Sequence, residues 1–310
     1  MKNIKIIATG SYLPPNKVDN NTIANELKIT EEFIYKRTGI QTRYYSKDET
    51  IEEIAINSVQ NLIEKNSQID ISKVDMIIVA TTSTNSLMPG ISYKIQEHFD
   101  IKNCMCLDIL AGCSGFINAM DIARNYIAVE KSSKALVVGV DILSKFTDKS
   151  DLSTSIILAD GAGAVLLEKT ETDKKYKSII TSEGQKGNLL VSKSNENIKM
   201  DGKEIYKYAV TETVKNIKNL LKISSTNIDE IKYIVPHQSN MKIMNSIASR
   251  LKIDINKMYI NIENVGNTFC ASIPIALDEM FSKKLLQEGN KIILLGYGGG
   301  LNTGSILLGI

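Results

Sequence analysis

The chain has no tryptophan and only two histidines, five prolines and four cysteines among its 310 residues. Aromatic residues make up 6% of the composition, too few for the stacking platforms that hold single-stranded nucleic acid. The formal charge of +2 leaves no basic excess for bulk nucleic-acid binding, and none is expected. Four cysteines (Cys104, Cys106, Cys113 and Cys270) do not make a disulfide framework in a chain this long, which points to a reducing, cytoplasmic setting. Cys104 and Cys106 form an isolated C-x-C, with both thiols on one face of a strand. With so few histidines, neither a metal site nor a resident cofactor is expected. No apolar run approaches membrane-spanning length, and Met1–Ile4 leads straight into a strand-like segment without a leader pattern.

What is present is apolar periodicity. Apolar residues make up 43% of the chain, enough for a sizeable core. Ile- and Val-rich runs at Met76–Ala80, Ala135–Gly139, Ala164–Glu168, Tyr233–Val235 and Ile292–Leu295 alternate with amphipathic helical stretches. Nearly continuous apolar strands belong to sheets covered on both faces, so the expected class is α/β with two sheets between helix layers.

The chain also reads as an internal duplication. Asp75–Thr82 resembles Glu230–His237, Cys106–Ile109 resembles Asn261–Asn264, and Ala135–Gly139 resembles Ile292–Gly296, at offsets of 155, 155 and 157 residues. A repeat of this period is a duplicated domain and not a solenoid unit. The expected halves are residues 1–168 and 169–310, with Lys169–Lys177 as a solvated bridge. Packed together, they would bring both sets of loops to one central face.

Chemistry concentrates at three junctions. In Leu107–Phe116 an apolar run meets Ala111-Gly112-Cys113-Ser114-Gly115, and helical periodicity follows through Ile127. Cys113 therefore falls near a helix N-terminus, where unpaired N–H groups and the helix dipole favour a thiolate. A buried cysteine is ordinarily an inert core residue, so the case for a nucleophile rests on its companions. His237, in Val235-Pro236-His237-Gln238-Ser239-Asn240, lies on a strand-to-helix loop of the kind that carries function. His98 reads as a surface residue on the polar side of a helix. A third strand-to-loop junction, Tyr259–Thr268, presents Asn267, either as a helix cap or as a functional amide.

Taken jointly, Gly112-Cys113-Ser114-Gly115-Phe116, Ala159–Ala164, Pro236–Asn240, Gly266-Asn267-Thr268 and Gly298–Gly300 resemble β-ketoacyl-acyl-carrier-protein synthase III over essentially the whole chain. The resemblance implies the thiolase-like five-layer αβαβα fold with two pseudo-symmetric halves, working as a homodimer. It also implies an acyltransferase chemistry of fatty acid biosynthesis. Cys113 would carry an acyl group as a thioester, and His237 and Asn267 would stabilise the enolate left when malonyl-acyl-carrier protein loses CO₂. The backbone N–H groups of Cys113 and Gly299 would form an oxyanion hole. Arg37 matches a position near the coenzyme A phosphates; Asn240, Gly202 and Tyr206 match the pantetheine tunnel. Lys207, Lys242 and Arg250 match a basic patch that docks the acidic carrier protein. The acyl thioester of coenzyme A or of carrier protein is a substrate, not a cofactor.

Four positions depart from the family. Phe33 stands where a Trp is usual and Leu152 where an Arg is usual, which removes the cation–π partner of the adenine sandwich and implies poor use of acetyl-coenzyme A. Met88 aligns with the aromatic gate that a dimer mate contributes, and its flexible thioether would reshape the acyl pocket. Thr303 replaces a C-terminal Trp, with no consequence assigned. Among rivals, a biosynthetic thiolase needs a second cysteine near Tyr297–Leu301, where there is none. A type III polyketide synthase is normally longer. The surroundings of Cys113 do not match a papain-like protease, and a non-catalytic scaffold would not need all three residues. The live alternative is acyl transfer to a hydroxyl or amine without decarboxylation, which CO₂ release would distinguish.

Overall fold

A computed structural model describes residues 3–84, 86–172, 175–193 and 196–310. The chain opens with β1 (Asn3–Tyr12), then a hairpin of β2 (Asn16–Asp19) and β3 (Thr42–Tyr45) enclosing α1 (Asn20–Leu27) and α2 (Glu31–Thr38). Next come α3 (Ile51–Lys65), β4 (Met76–Ala80), α4 (Ile91–His98), β5 (Met105–Ile109), α5 (Gly115–Ala128) and β6 (Lys134–Ile142). The short α6 (Leu152–Ser155) and β7 (Asp160–Thr170) follow. The second half holds β8 (Tyr176–Ser182), β9 (Leu190–Val191), β10 (Lys199–Met200), α7 (Gly202–Ile223), β11 (Ile231–Pro236) and α8 (Met241–Leu251). It closes with α9 (Ile262–Val265), α10 (Ser272–Ser282), β12 (Lys291–Gly298) and β13 (Asn302–Gly309).

Local chemistry explains these elements. Thr50 and Glu53 form a reciprocal capping box at the start of α3, whose buried residues Ile51, Ile54, Ala55, Val59 and Leu62 make one stripe. Thr30 caps α2, and Gly39 ends it at φ 79. In α5 the stripe is Phe116, Ile117, Met120, Ala123 and Ile127.

The first sheet runs β1-β7-β6-β4-β5 and the second β8-β13-β12-β11. β4 pairs parallel with β5 and β6, and β11 parallel with β12; the remaining pairs are antiparallel. Alternation along β4 sorts the layers. Ile77 and Val79 pack with α3 and α4 on one face. Met76, Ile78 and Ala80 pack with α5 and α10 on the other. The second sheet presses Val235, Ile292, Leu294 and Ile306 onto that same middle layer, while Ile234, Ile293, Leu295 and Leu307 face α7 and α8. The stack is therefore helix, sheet, helix, sheet, helix. Strand order repeats between the sheets, with β8, β13, β12 and β11 in the places of β1, β7, β6 and β4; only β5 has no counterpart.

Two readings of the sequence need correction. Asn261–Asn264, aligned with strand Cys106–Ile109, is not a strand: Met258 and Tyr259 touch β11 through one bridge and one hydrogen bond, and Ile262 starts α9. Asn261 N–H and Ile262 N–H donate to the buried Gln238 Oε1, so a side chain takes the donors a sheet would have used. The bridge between halves is also shorter than Lys169–Lys177. Lys169 and Thr170 pair in β7, and Tyr176 and Lys177 pair in β8. Met1 and Lys2, and Asp173 and Lys174 of the bridge, lie outside the described residues.

Candidate active site

Cys113, His237 and Asn267 all lie just beyond strand or helix ends on the face where the parallel strands finish, the usual ligand side of such sheets. Cys113 sits in a single 3-10 turn, Gly112–Ser114, between β5 and α5. Gly112 holds φ 58, and a Cβ there would lie 2.4 Å from the Gly299 carbonyl oxygen. A Cβ on Gly298 would lie 2.7 Å from that of Cys113. The glycine run therefore lets two backbones close on the sulfur.

Side chains that sequence reasoning missed clamp this turn. Ser114 Oγ donates to Asn302 Oδ1 at 2.6 Å, and Asn302 Nδ2 donates to Ala111 O at 2.7 Å. Cys270 Sγ points to Gly112 O at 3.1 Å. The fully buried Asp141 accepts from Thr82 N–H at 2.7 Å, from the hydroxyls of Thr81, Thr82 and Ser83, and from Cys270 N–H at 3.0 Å. It ties the end of β4 to the segment that follows Asn267.

His237 is buried, its N–H donating to Leu295 O and its Nδ1 lying 2.7 Å from Ser272 Oγ. Tyr297 and Phe269 meet the ring edge-on at centroid distances of 5.4 and 6.5 Å. Burial depresses its pKa to about 3, so the imidazole is neutral at physiological pH. Asn267 bridges Leu158, with Ala159 N–H donating to its carbonyl, and its Oδ1 accepts from Phe269 N–H at 3.1 Å. That leaves its amide NH₂ as the unused donor. Its oxygen thus braces the following turn while its NH₂ is left to face the cavity.

The expected thiolate bias at Cys113 is overturned. Burial, reinforced by the charge of Asp141, pushes the thiol up to about 12; the backbone N–H groups of Gly299 and of Cys113 itself pull only part of the way back. Leu143, Phe146, Leu158, Ile198 and Phe269 pack around the sulfur, and that apolar wall outweighs one helix terminus.

A cavity of about 660 Å³ gathers Cys113, His237 and Asn267 with the expected positions Arg37, Leu152, Gly202, Tyr206, Lys207, Asn240 and Lys242. Apolar Leu158, Leu190, Ile198 and Phe269 line it too, while its cations are Arg37, Lys203, Lys207 and Lys242. Asn240 caps α8 and donates to Arg37 O; Tyr206 hydroxyl meets Ser246 Oγ at 2.7 Å. Phe33 is not on the wall, but its ring stacks beneath the Arg37 guanidinium at 5.7 Å. Three further expected residues stand apart from the cavity. Gly299 is not on the cavity wall, though its backbone N–H reaches the Cys113 sulfur. Met88 is 83% exposed beside Leu87. Arg250 borders a separate groove with Lys215 and Lys218. His98 is exposed at the end of α4.

A buried thiol, a neutral imidazole and a carboxamide around one apolar cavity define a thiol-dependent acyl-transferring enzyme on a doubled α/β scaffold. Comparison with known proteins narrows the class. Residues 107–186 match the family model 3-oxoacyl-[acyl-carrier-protein] synthase III, and residues 221–310 match the model of its C-terminal part. The β-ketoacyl-[acyl-carrier-protein] synthase III of Clostridium beijerinckii is 38% identical over 99% of both chains, and that of Clostridium acetobutylicum 37%. The crystal structure of 3-oxoacyl-[acyl-carrier-protein] synthase III from Aquifex aeolicus superposes with a TM-score of 0.96 at 34% identity, covering 99% of this chain and 100% of that one. The Thermus thermophilus enzyme gives 0.94 at 28%, covering 98% of each chain. The chain belongs to the β-ketoacyl-acyl-carrier-protein synthase III family, has its thiolase-like fold, and is a condensing acyltransferase.

Proposed function

We propose that this enzyme loads an acyl group onto Cys113 and condenses it with malonyl-acyl-carrier protein. The observation that carries the reading is the meeting of Cys113, His237 and Asn267 in one apolar cavity with cations among its lining. The Cys113 sulfur attacks the donor thioester carbonyl and the donor's thiol leaves with the cysteine proton, so no charge is stranded in the apolar wall. Malonyl thioester then binds and its carboxylate departs as CO₂, leaving the electron pair as an enolate. Ser272 hydroxyl donating to His237 Nδ1 leaves Nε2–H as a donor, and the Asn267 amide supplies a second. A neutral imidazole suits this role, since its N–H donates a hydrogen bond without giving up the proton. The enolate carbon attacks the acyl-cysteine carbonyl, forming the carbon–carbon bond. The tetrahedral oxyanion meets the N–H groups of Cys113 and Gly299, then collapses to the β-ketoacyl product and expels the Cys113 sulfur, which takes a proton from water to return to the thiol. Water is excluded by the apolar residues around the sulfur, which protects the thioester from hydrolysis.

The finer assignments follow the same logic. Lys207 and Lys242 on the cavity, with Arg250 beyond it, receive an acidic carrier protein. Leu152, exposed over 39% of its surface, offers no cation to an adenine, and Arg37 already covers Phe33. The donor is accordingly an acyl-carrier protein or an unusual acyl-coenzyme A. A second copy of the chain is read to cover the open edge of β5, where Met105, Leu110, Leu87 and Met88 are exposed. Met88 would then reach the partner's acyl pocket. Four free thiols suit the cytoplasm; no helix among the described residues is long and apolar enough to cross a membrane. The halves divide near residue 168.

Intact-protein mass spectrometry tests the reading. Wild type gains the acyl mass from a matching donor and Cys113→Ala does not; added malonyl-carrier protein then discharges the acyl group and releases CO₂. Discharge without CO₂ would refute condensation.

A further inference from the structure

Phe269 follows Asn267 by two residues and holds φ 44, the left-handed region that bulky side chains avoid. Glycine would adopt the same backbone without strain, so what the strain holds in place is the ring. Three contacts fix it. Its N–H donates to Asn267 Oδ1 at 3.1 Å, and its ring meets His237 edge-on at 6.5 Å. The ring itself packs with Cys113, Leu143, Leu158 and Ile198 in one buried cluster. Phe269 also lines the cavity, as do Leu158, Leu190 and Ile198 of the same apolar cluster.

An acyl chain held on Cys113 is accommodated best by the apolar cluster to which that residue belongs, while the cavity's cations Arg37, Lys207 and Lys242 suit a phosphate-bearing arm. Two rings stand in that cluster, Phe146 and Phe269, and of the two it is Phe269 that lines the cavity, with its backbone tied to Asn267. We propose that Phe269 sets the size of the acyl group that Cys113 accepts, restricting it to short chains. This rests on the reading of Cys113 as acyl carrier. Because the ring touches His237 and its N–H holds Asn267, the residue that limits the acyl group also braces both enolate donors.

The test compares wild type, Phe269→Leu and Phe269→Gly with acetyl, butyryl, hexanoyl and octanoyl thioesters of coenzyme A and carrier protein. Loading of Cys113 is followed by mass spectrometry and condensation by product formation. The expected result is a graded rise in the octanoyl-to-acetyl ratio of kcat/KM, about tenfold or more for glycine and less for leucine. Leucine keeps an apolar side chain, so a glycine variant that fails to fold leaves the series readable. A ratio unchanged in the folded variants, or a uniform loss at every chain length, overturns the proposal. Absence of any acyl adduct on wild type would instead overturn the acyl-cysteine reading itself.

Discussion

Burying a neutral imidazole makes the fold sensitive to mild acid. His237 falls from 6.5 to about 3 on folding, because burial disfavours its charged form and no opposite charge compensates. Between those values the unfolded chain binds a proton that the native state refuses. Stability from this group is thus complete above pH 6.5 and is lost progressively as pH falls toward 3. At about 1.36 kcal/mol per pH unit, lowering the pH from 7 to 5 removes about 2 kcal/mol. Buried Asp141 and Asp160 act with opposite sign, since their raised pKa values favour the native state in acid. Comparison with His237→Gln separates the two, because both proteins keep the carboxylates and the exposed His98. Urea denaturation at fixed protein concentration, at pH 7 and pH 5, gives the four free energies required. Wild type should lose about 2 kcal/mol relative to the variant on acidification. A difference between the two proteins that stays constant across these pH values refutes a buried, uncharged His237.

Further outcomes follow from the same geometry. Iodoacetamide should alkylate Cys113 slowly at neutral pH, with a rate that keeps climbing past pH 10, because its thiol is pushed up to about 12; peptide mapping reads this out. His237→Ala and Asn267→Ala should retain acyl-enzyme formation but lose condensation by about 10²–10³-fold, measured by single-turnover decarboxylation. Gly112→Ala adds a Cβ 2.4 Å from the Gly299 oxygen at φ 58, and should destabilise the fold by about 2–4 kcal/mol in the same urea assay. Acetyl-coenzyme A should load Cys113 more weakly than acetyl-carrier protein, judged by KM for loading; comparable values would refute the weight placed on Leu152.

Much of this was legible in the residues. Ile- and Val-rich runs marked the central strands because sheets covered on both faces admit little else, and Cys113, His237 and Asn267 stand at junctions that periodicity alone located. What escaped the sequence is three-dimensional. The pKa of Cys113 depends on Leu143, Phe146 and Leu158, which lie far along the chain from the sulfur they enclose. Asn261–Asn264 carries strand-like residues, but Gln238 takes the hydrogen bonds that pairing would need. Ser272, Asn302 and Asp141 hold the site by contacts spanning 35 to 188 residues, and no local pattern announces them. Phe269 had one available signal, a bulky aromatic directly beyond Gly266-Asn267-Thr268, but its left-handed backbone appears only in the fold.

α5 begins just after Cys113 and α10 just after the Asn267 segment, and together these helices are the layer that both sheets close upon. Cys113 and Asn267, two of the groups proposed to react, are therefore anchored at the keystone of the molecule and not at a hinge. An opening that parted Cys113 from Asn267 would have to disturb this shared middle layer. Catalytic output becomes a meter of the folded population: whatever unseats the middle layer silences the enzyme at the same moment.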